Sequence, residues 1–277
     1  MFQNRTISVI IPAGRKERIE ALKNLLDNLN NGTLPPDEII VADTSDSPAK
    51  ARNIGVKKAK GDILVFVDDD AIPADSNVLH SVIEILISAE SIGICGTSTD
   101  IPPNANCFQK AYRKQFPRTY FPVVRQVLDS DMATTLFCAI RRSDFEAIGG
   151  FDESLITGED NFLRHKIRAL GKRVVIAPQT LVYHPLPQNW KQLFRREIWY
   201  ARGGAILAKK TDYPFEGRHI KNNFYAMLYI LSALLLFPIR LFYGGPDNKS
   251  FGFWYLRAPA FIVKAFTYAW FARKGKK

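Results

Sequence analysis

An α/β fold with a mostly parallel sheet and a C-terminal apolar helical hairpin is predicted by three features of this sequence. Short β-branched runs alternate with helical stripes through the first hundred residues. Acidic residues follow the ends of several of these runs. Beyond residue 215 the chain turns apolar and aromatic.

Residues 7–11 form a β-branched run closed by Pro12, the pattern of a buried strand. Ile19, Leu22, Leu25, Leu26 and Leu29 keep helical spacing, and Gly32 followed by Pro35 and Pro36 ends that helix. Residues 38–42 read as a second strand. Pro48 opens a second helix where its missing N–H costs nothing. Residues 63–67 are a third strand, Val78, Leu79, Val82, Ile83 and Leu86 a third helical stripe, and residues 92–95 a fourth strand. Strands alternating with single helices imply a parallel sheet covered on both faces, with ligands bound beyond the carboxyl ends of its strands.

Residues 102–131 break the pattern with prolines and carry Arg113, Lys114, Arg118 and Arg125. They are expected to form a mobile, partly helical segment on the acceptor side. Residues 132–140 are strand-like. Residues 162–170 are helical with Gly171 as their stop, and residues 191–209 form another helix. Two domains are expected, 1–215 and 216–277.

The 277 residues are 47% hydrophobic and 23% charged, which excludes a disordered chain, a collagen-like repeat and a disulfide mini-scaffold. Cys95, Cys107 and Cys138 have no C-x-x-C spacing and read as thiols in a reducing compartment. Four scattered histidines make no H-E-x-x-H site, and no dinucleotide, P-loop or nucleophile-elbow glycine motif is present.

The net charge is +11, and residues 216–277 hold ten Lys/Arg against two Asp/Glu, so +8 of it sits beside the most apolar part of the chain. That placement suits an anionic membrane surface and argues against nucleic acid as a partner. Residues 224–243 approach the ~20 residues that span a bilayer. Residues 251–272 hold Arg257 and Lys264 seven apart on one helical face, as in a helix lying in the interface. Gly244, Gly245 and Pro246 would turn between the two, with Arg218, Lys221 and residues 273–277 as basic flanks. Spanning and surface-lying arrangements both fit, as do a soluble helical subdomain and an oligomer interface. The short N-terminal apolar run is no signal peptide, so the expected location is the cytoplasmic face of the membrane.

Acids mark three places: Asp43 after I-I-V-A, Asp68-Asp69-Asp70 after I-L-V-F-V, and Glu159-Asp160 after Gly158. Strand alternation would turn Asp68 and Asp70 to one side and Asp69 away. Oxygen ligands of this kind suit Mn²⁺ or Mg²⁺ bridging a diphosphate. Helix capping and Asx turns would use the same residues.

The ordered set I-S-V-I-I-P, I-I-V-A-D-T-S, A-R-N-I-G, G-D-I-L-V-F-V-D-D-D, I-G-G-F-D-E, G-E-D and V-Y-H, over residues 5–205, resembles the family 2 glycosyltransferases. The resemblance implies a GT-A fold, a nucleotide diphosphate-sugar donor and inverting transfer to an acceptor hydroxyl. It implies that Asp43 binds the base above Pro12 and Ala13. Arg52 and Asn53 would line the donor pocket, and Asp68 would take the ribose side. Asp69 falls within the same donor-binding run, and Asp70 would hold the metal with His184. Asp160 would be the general base, with Glu159 its rival or a partner that orients the acceptor. Arg196, in F-R-R-E-I-W-Y, would meet the diphosphate, although an anionic lipid surface is an equal use for it. The apolar end suggests a lipid-linked acceptor in glycolipid or polysaccharide synthesis. A transferase to polyprenyl phosphate and a catalytically silent scaffold of the same fold are the alternatives.

Overall fold

A computed structural model describes residues 4–14, 16–43, 47–116, 120–210, 223–242 and 252–273. The chain divides into two compact units. The first holds residues 1–103, 118–154 and 159–185; the second holds 104–117, 155–158 and 186–277.

The first unit is a mixed sheet with helices on both faces. Its elements in chain order are β1 Ile7–Ala13, α1 Ile19–Asn30, β2 Glu38–Asp43, α2 Pro48–Lys58, β3 Ile63–Val67, β4 Ile72–Pro73, α3 Val78–Ser88 and β5 Ile92–Asp100. After the second unit's α4, Cys107–Gln115, come β6 Leu128–Asp129, β7 Phe137–Arg141, α5 Arg142–Ala147, α6 Glu159–Ala169 and β8 Arg173–Tyr183. The strand order is β2-β1-β3-β7-β5-β8-β4, with β6 beside β8. β2, β1 and β3 run parallel, as do β5 and β8, whereas β7 enters antiparallel between β3 and β5.

Period-two alternation divides the core between the two faces. Ile7, Val9, Ile11, Val65, Val67 and Val175 face α1 and α3, packing with Leu25, Leu29, Val82 and Leu86. Ile10, Leu64, Phe66, Ile140 and Ile176 face the other way, onto Ala49, Val56, Phe145, Leu163 and Ile167 of α2, α5 and α6. The Arg141 side chain, 3% exposed, donates to the carbonyls of Leu86, Ala89 and Ile92, and so ties the end of α3 to the start of β5. Cys95 and Cys138 are buried free thiols, Cys107 is free and exposed, and burial pushes Cys138 up to about 12.

Three expectations need correction. The strand expected at 132–140 is shorter and shifted, at Phe137–Arg141, because Met132 to Leu136 form a turn-rich approach to it. β8 begins at Arg173, nine residues before the V-Y-H motif, so the strand is longer than that motif alone indicates. The described part of the apolar stretch, residues 224–242, is not one helix. Pro238 has no N–H to donate, and the helix is interrupted at Leu236 between α8 Asn223–Leu235 and α9 Phe237–Phe242.

The second unit also contains α7 Trp190–Lys210 and α10 Arg257–Arg273. α4 opens with a reciprocal capping box between Asn106 and Gln109. Gln109 donates to the Leu186 carbonyl, and Gln115 Oε1 accepts from the Leu256 N–H. α7 packs against α10 through Ala201, Ala205 and Tyr268. Among the described residues no helix is long and apolar enough to cross a membrane. The Gly244–Gly245–Pro246 turn, the flanks Arg218, Lys221 and 274–277, and Pro117 and Arg118 lie outside the described residues.

Gly96 on β5 meets Ala133, where an added Cβ would stand 2.7 Å from Cα. Gly96→Ala should therefore destabilise the fold by about 1–3 kcal/mol. The urea midpoint should fall with the m-value unchanged; an unchanged midpoint would show that the loop carrying Ala133 yields freely.

Candidate active site

β1, β2 and β3 are parallel, so their carboxyl ends share one edge of the sheet. Asp43 closes β2 and is exposed; its register partner is Ala13, the last residue of β1, with Pro12 beside it. At the end of β3 the chain does not continue as a strand. Ala71 N–H donates to the Asp68 carbonyl, closing a tight turn over the three aspartates. Strand alternation therefore fails here, and Asp69 does not turn away from Asp70. Both are buried, and one guanidinium bridges them: Arg18 Nη1 lies 2.5 Å from Asp69 Oδ1 and Nη2 2.6 Å from Asp70 Oδ2.

Arg52 on α2 is 2% exposed and joins two acids 91 residues apart in the chain. Its Nη2 donates to Asp68 Oδ1 at 2.7 Å and its Nη1 to Glu159 Oε1 at 2.8 Å. Glu159 opens α6, immediately after Gly158, whose φ of 80° is a left-handed turn that favours glycine. Asp160 follows, and Arg164 one turn later donates to its Oδ2 at 3.2 Å. Asn53 does not stand open: its amide grips the backbone of Phe151 on both sides and donates to Glu153. This grip holds the I-G-G-F-D-E turn, whose Gly149 and Gly150 both have φ of 71°.

The two acids of the G-E-D motif differ electrostatically. Burial drives the Glu159 carboxyl above its ordinary value, and Arg52 offsets this only in part. Burial also acts to raise Asp160, but Arg164 and the Asn161 N–H outweigh it and hold that carboxyl below the ordinary range. Burial raises Asp68, against the pull of Arg52. The side chain of Asp160 is 24% exposed and that of Glu159 11%.

His184 follows β8, at the same sheet edge, and its N–H is held by the Asp100 carbonyl. Its Nε2 lies 3.9 Å from Asp70 Oδ1. That oxygen is buried and has no hydrogen-bond partner among the described residues. Among the described residues no group of three or more histidine, cysteine or acidic side chains is arranged to hold a metal ion. Five carboxylates (Asp68, Asp69, Asp70, Glu159, Asp160) thus meet three guanidiniums (Arg18, Arg52, Arg164), a formal excess of −2. Sequence reasoning missed two of those arginines. Arg164 had a readable signal in its i,i+4 spacing from Asp160; Arg18, some fifty residues from its partners, had none.

Arg196 belongs to the second unit. There its guanidinium lies 5.5 Å from the Tyr112 ring centroid and 5.3 Å from that of Tyr200. Burial opposes its charge, but these neighbours and Glu197 raise its pKa overall.

Residues 32–200 match the family described as glycosyltransferase-like family 2. The chain belongs to that family. Curated relatives include the O-antigen chain rhamnosyltransferase RfbN of Salmonella typhimurium, 24% identical over 208 residues, or 62% of this chain and 65% of that protein. The O-antigen chain rhamnosyltransferase WbaN of Salmonella anatum is 25% identical over 166 residues, 57% of this chain and 52% of that protein. The chain thus spans between about half and two thirds of these relatives' lengths. A solved mannosyltransferase from Pyrobaculum calidifontis, in complex with GDP-Man and Mn²⁺, superposes with a TM-score of 0.60 at 15% identity. The match covers 96% of this chain and 87% of that one. This likeness establishes the GT-A fold.

Removing the charge of Arg52 leaves buried Glu159 uncompensated. Arg52→Met should cost about 3–5 kcal/mol of stability. Thermal melting by circular dichroism would read this as a lowered Tm; an unchanged Tm would show that the bridge contributes nothing net.

Proposed function

We propose that this protein transfers a sugar from a nucleotide diphosphate-sugar to an acceptor hydroxyl, with inversion and with help from a divalent cation. The observation that carries this reading is the Arg52 bridge, which ties the aspartate turn after β3 to the G-E-D motif on α6. Donor-side acids and an acceptor-side base then share one sheet edge. In this reading Asp43 pairs with the base over Pro12 and Ala13, and Asp68 stands on the ribose side.

Asp160 is the proposed base. It is the more exposed of the two G-E-D acids, and it stays ionised. Its carboxylate takes the acceptor hydroxyl proton while the acceptor oxygen bonds to the anomeric carbon. The bond from that carbon to the diphosphate oxygen breaks, and its electron pair leaves with the nucleotide. Glu159 holds Arg52 and so sets the position of the motif.

The residues present fit Mn²⁺ or Mg²⁺. Asp70 Oδ1, buried and without a hydrogen-bond partner among the described residues, lies 3.9 Å from His184 Nε2. Two ligands about 2.1 Å from one ion lie within about 4.2 Å of each other. The local charge excess of −2 would suit a divalent ion held by these two side chains. Such an ion would neutralise charge developing on the leaving group.

The O-antigen enzymes among the relatives support a polysaccharide acceptor, and the apolar C-terminal segment is the reason to propose that it is lipid-linked. For placement we propose the surface of an anionic membrane. Exposed Leu228, Leu231, Leu235, Ile239 and Phe242 on α8 and α9 form an apolar surface within a segment of net charge +8.

Asp160→Asn should lower kcat by about 10²–10⁴ while nucleotide-sugar binding, read by calorimetry across a panel of donors, persists. The wild-type rate should show no acid limb above the ordinary aspartate range of about 4, because Arg164 holds Asp160 low. A limb well above that range would move the role to Glu159. Undiminished turnover in the Asn variant would instead favour polyprenyl phosphate, whose oxygen needs no base.

The full chain should sediment with vesicles containing phosphatidylglycerol and much less with neutral vesicles. The double substitution Leu231→Glu, Leu235→Glu should abolish this. Equal sedimentation of the variant would place the contact elsewhere.

A further inference from the structure

We propose that Arg18 is a positioning residue for the metal site, presenting one oxygen of Asp70 to the cation. The inference rests on the reading of Asp70 as a metal ligand and adds a residue to it.

Three consecutive aspartates in a tight turn repel one another, and unrestrained carboxylates would rotate apart. Arg18 prevents this with a planar fork, its two nitrogens on Asp69 Oδ1 and Asp70 Oδ2. The fork takes only one oxygen of Asp70. Oδ1 remains buried, free of hydrogen bonds among the described residues, on the side where His184 Nε2 lies 3.9 Å away. Asp70 is thus held at one oxygen and presented at the other, the arrangement an outer-shell partner imposes on a ligating carboxylate. Arg18 itself is anchored by its place in the chain. It ends the 3-10 turn Lys16–Arg18 directly before α1, whose Leu25 and Leu29 are buried in the core. A lysine there would supply a point charge without the fork, so it could not bridge both acids in one plane.

The test is Mn²⁺ binding alone, followed by the electron paramagnetic resonance signal of the free aquo ion, in the full chain without nucleotide. Arg18→Gln should weaken Mn²⁺ binding by about 10–100-fold, and Arg18→Lys by less. With a donor sugar nucleotide, half-saturating Mn²⁺ should rise in the same order, and excess metal should restore much of the rate. A merely structural role would lower activity without moving the metal dependence. Unchanged Mn²⁺ affinity in both variants overturns the inference. Tighter binding also overturns it, because Arg18 would then be competing with the cation. If the Gln variant does not fold, by far-ultraviolet circular dichroism, the Lys variant alone decides on the same criteria. A wild type that binds no Mn²⁺ removes the metal reading beneath the inference, whereas wild-type binding with unmoved variants removes only the role of Arg18.

Discussion

A single buried guanidinium organises the acid-rich edge of this sheet. Arg52 stands between Asp68 and Glu159, and each partner would be costly to bury without it. Its charge is itself expensive to desolvate, so the arrangement is stable only as a set. Two hydrogen bonds, from separate nitrogens to separate carboxylates, fix the direction of both acids as well as their charge. Phe151 closes the site from another side, with its ring 5.5 Å from the guanidinium carbon. The same phenylalanine is held by Asn53, one residue along α2. Adjacent residues of one helix therefore hold both sequence regions that the proposed chemistry uses.

The sheet supplies the rest of the placement. Parallel β1, β2 and β3 bring Ala13, Asp43 and Asp68 to one edge without any contact between their side chains being required. β8, parallel to β5, delivers His184 to that edge from more than a hundred residues away. Cations then act locally: Arg18 on the aspartate turn, Arg164 on Asp160. Because Arg164 lies on the same helix as its acid, Asp160 stays ionised, while the neighbouring Glu159, more deeply buried, has its pKa raised. Two adjacent carboxyls thus acquire opposite shifts, the condition under which one can serve as a base and the other as a fixed anchor.

The C-terminal helices show how one residue changes a reading. Composition alone described an apolar stretch close to membrane-spanning length. Pro238 removes a backbone donor near its end and leaves a helix of 13 residues followed by one of six. Their large side chains remain exposed in this unit, while α10 packs Tyr268 against the small residues Ala201 and Ala205 of α7.

Local periodicity determined the element types in the first hundred residues, because continuous β-branched runs and 3.6-residue stripes each satisfy only one backbone geometry. Motif order determined the family, and with it the positions of Asp43, Asp70, Asp160 and His184 as residues to examine. Tertiary structure alone decided the rest. The antiparallel entry of β7 between β3 and β5 depends on long-range pairing that strand composition does not encode. The conformation of Asp68 to Ala71 is a turn because a backbone hydrogen bond closes it, so an argument from strand alternation could not hold there. Arg18 finds Asp69 and Asp70 across some fifty residues of chain. No spacing rule reaches that far; only folding brings those charges within bonding distance.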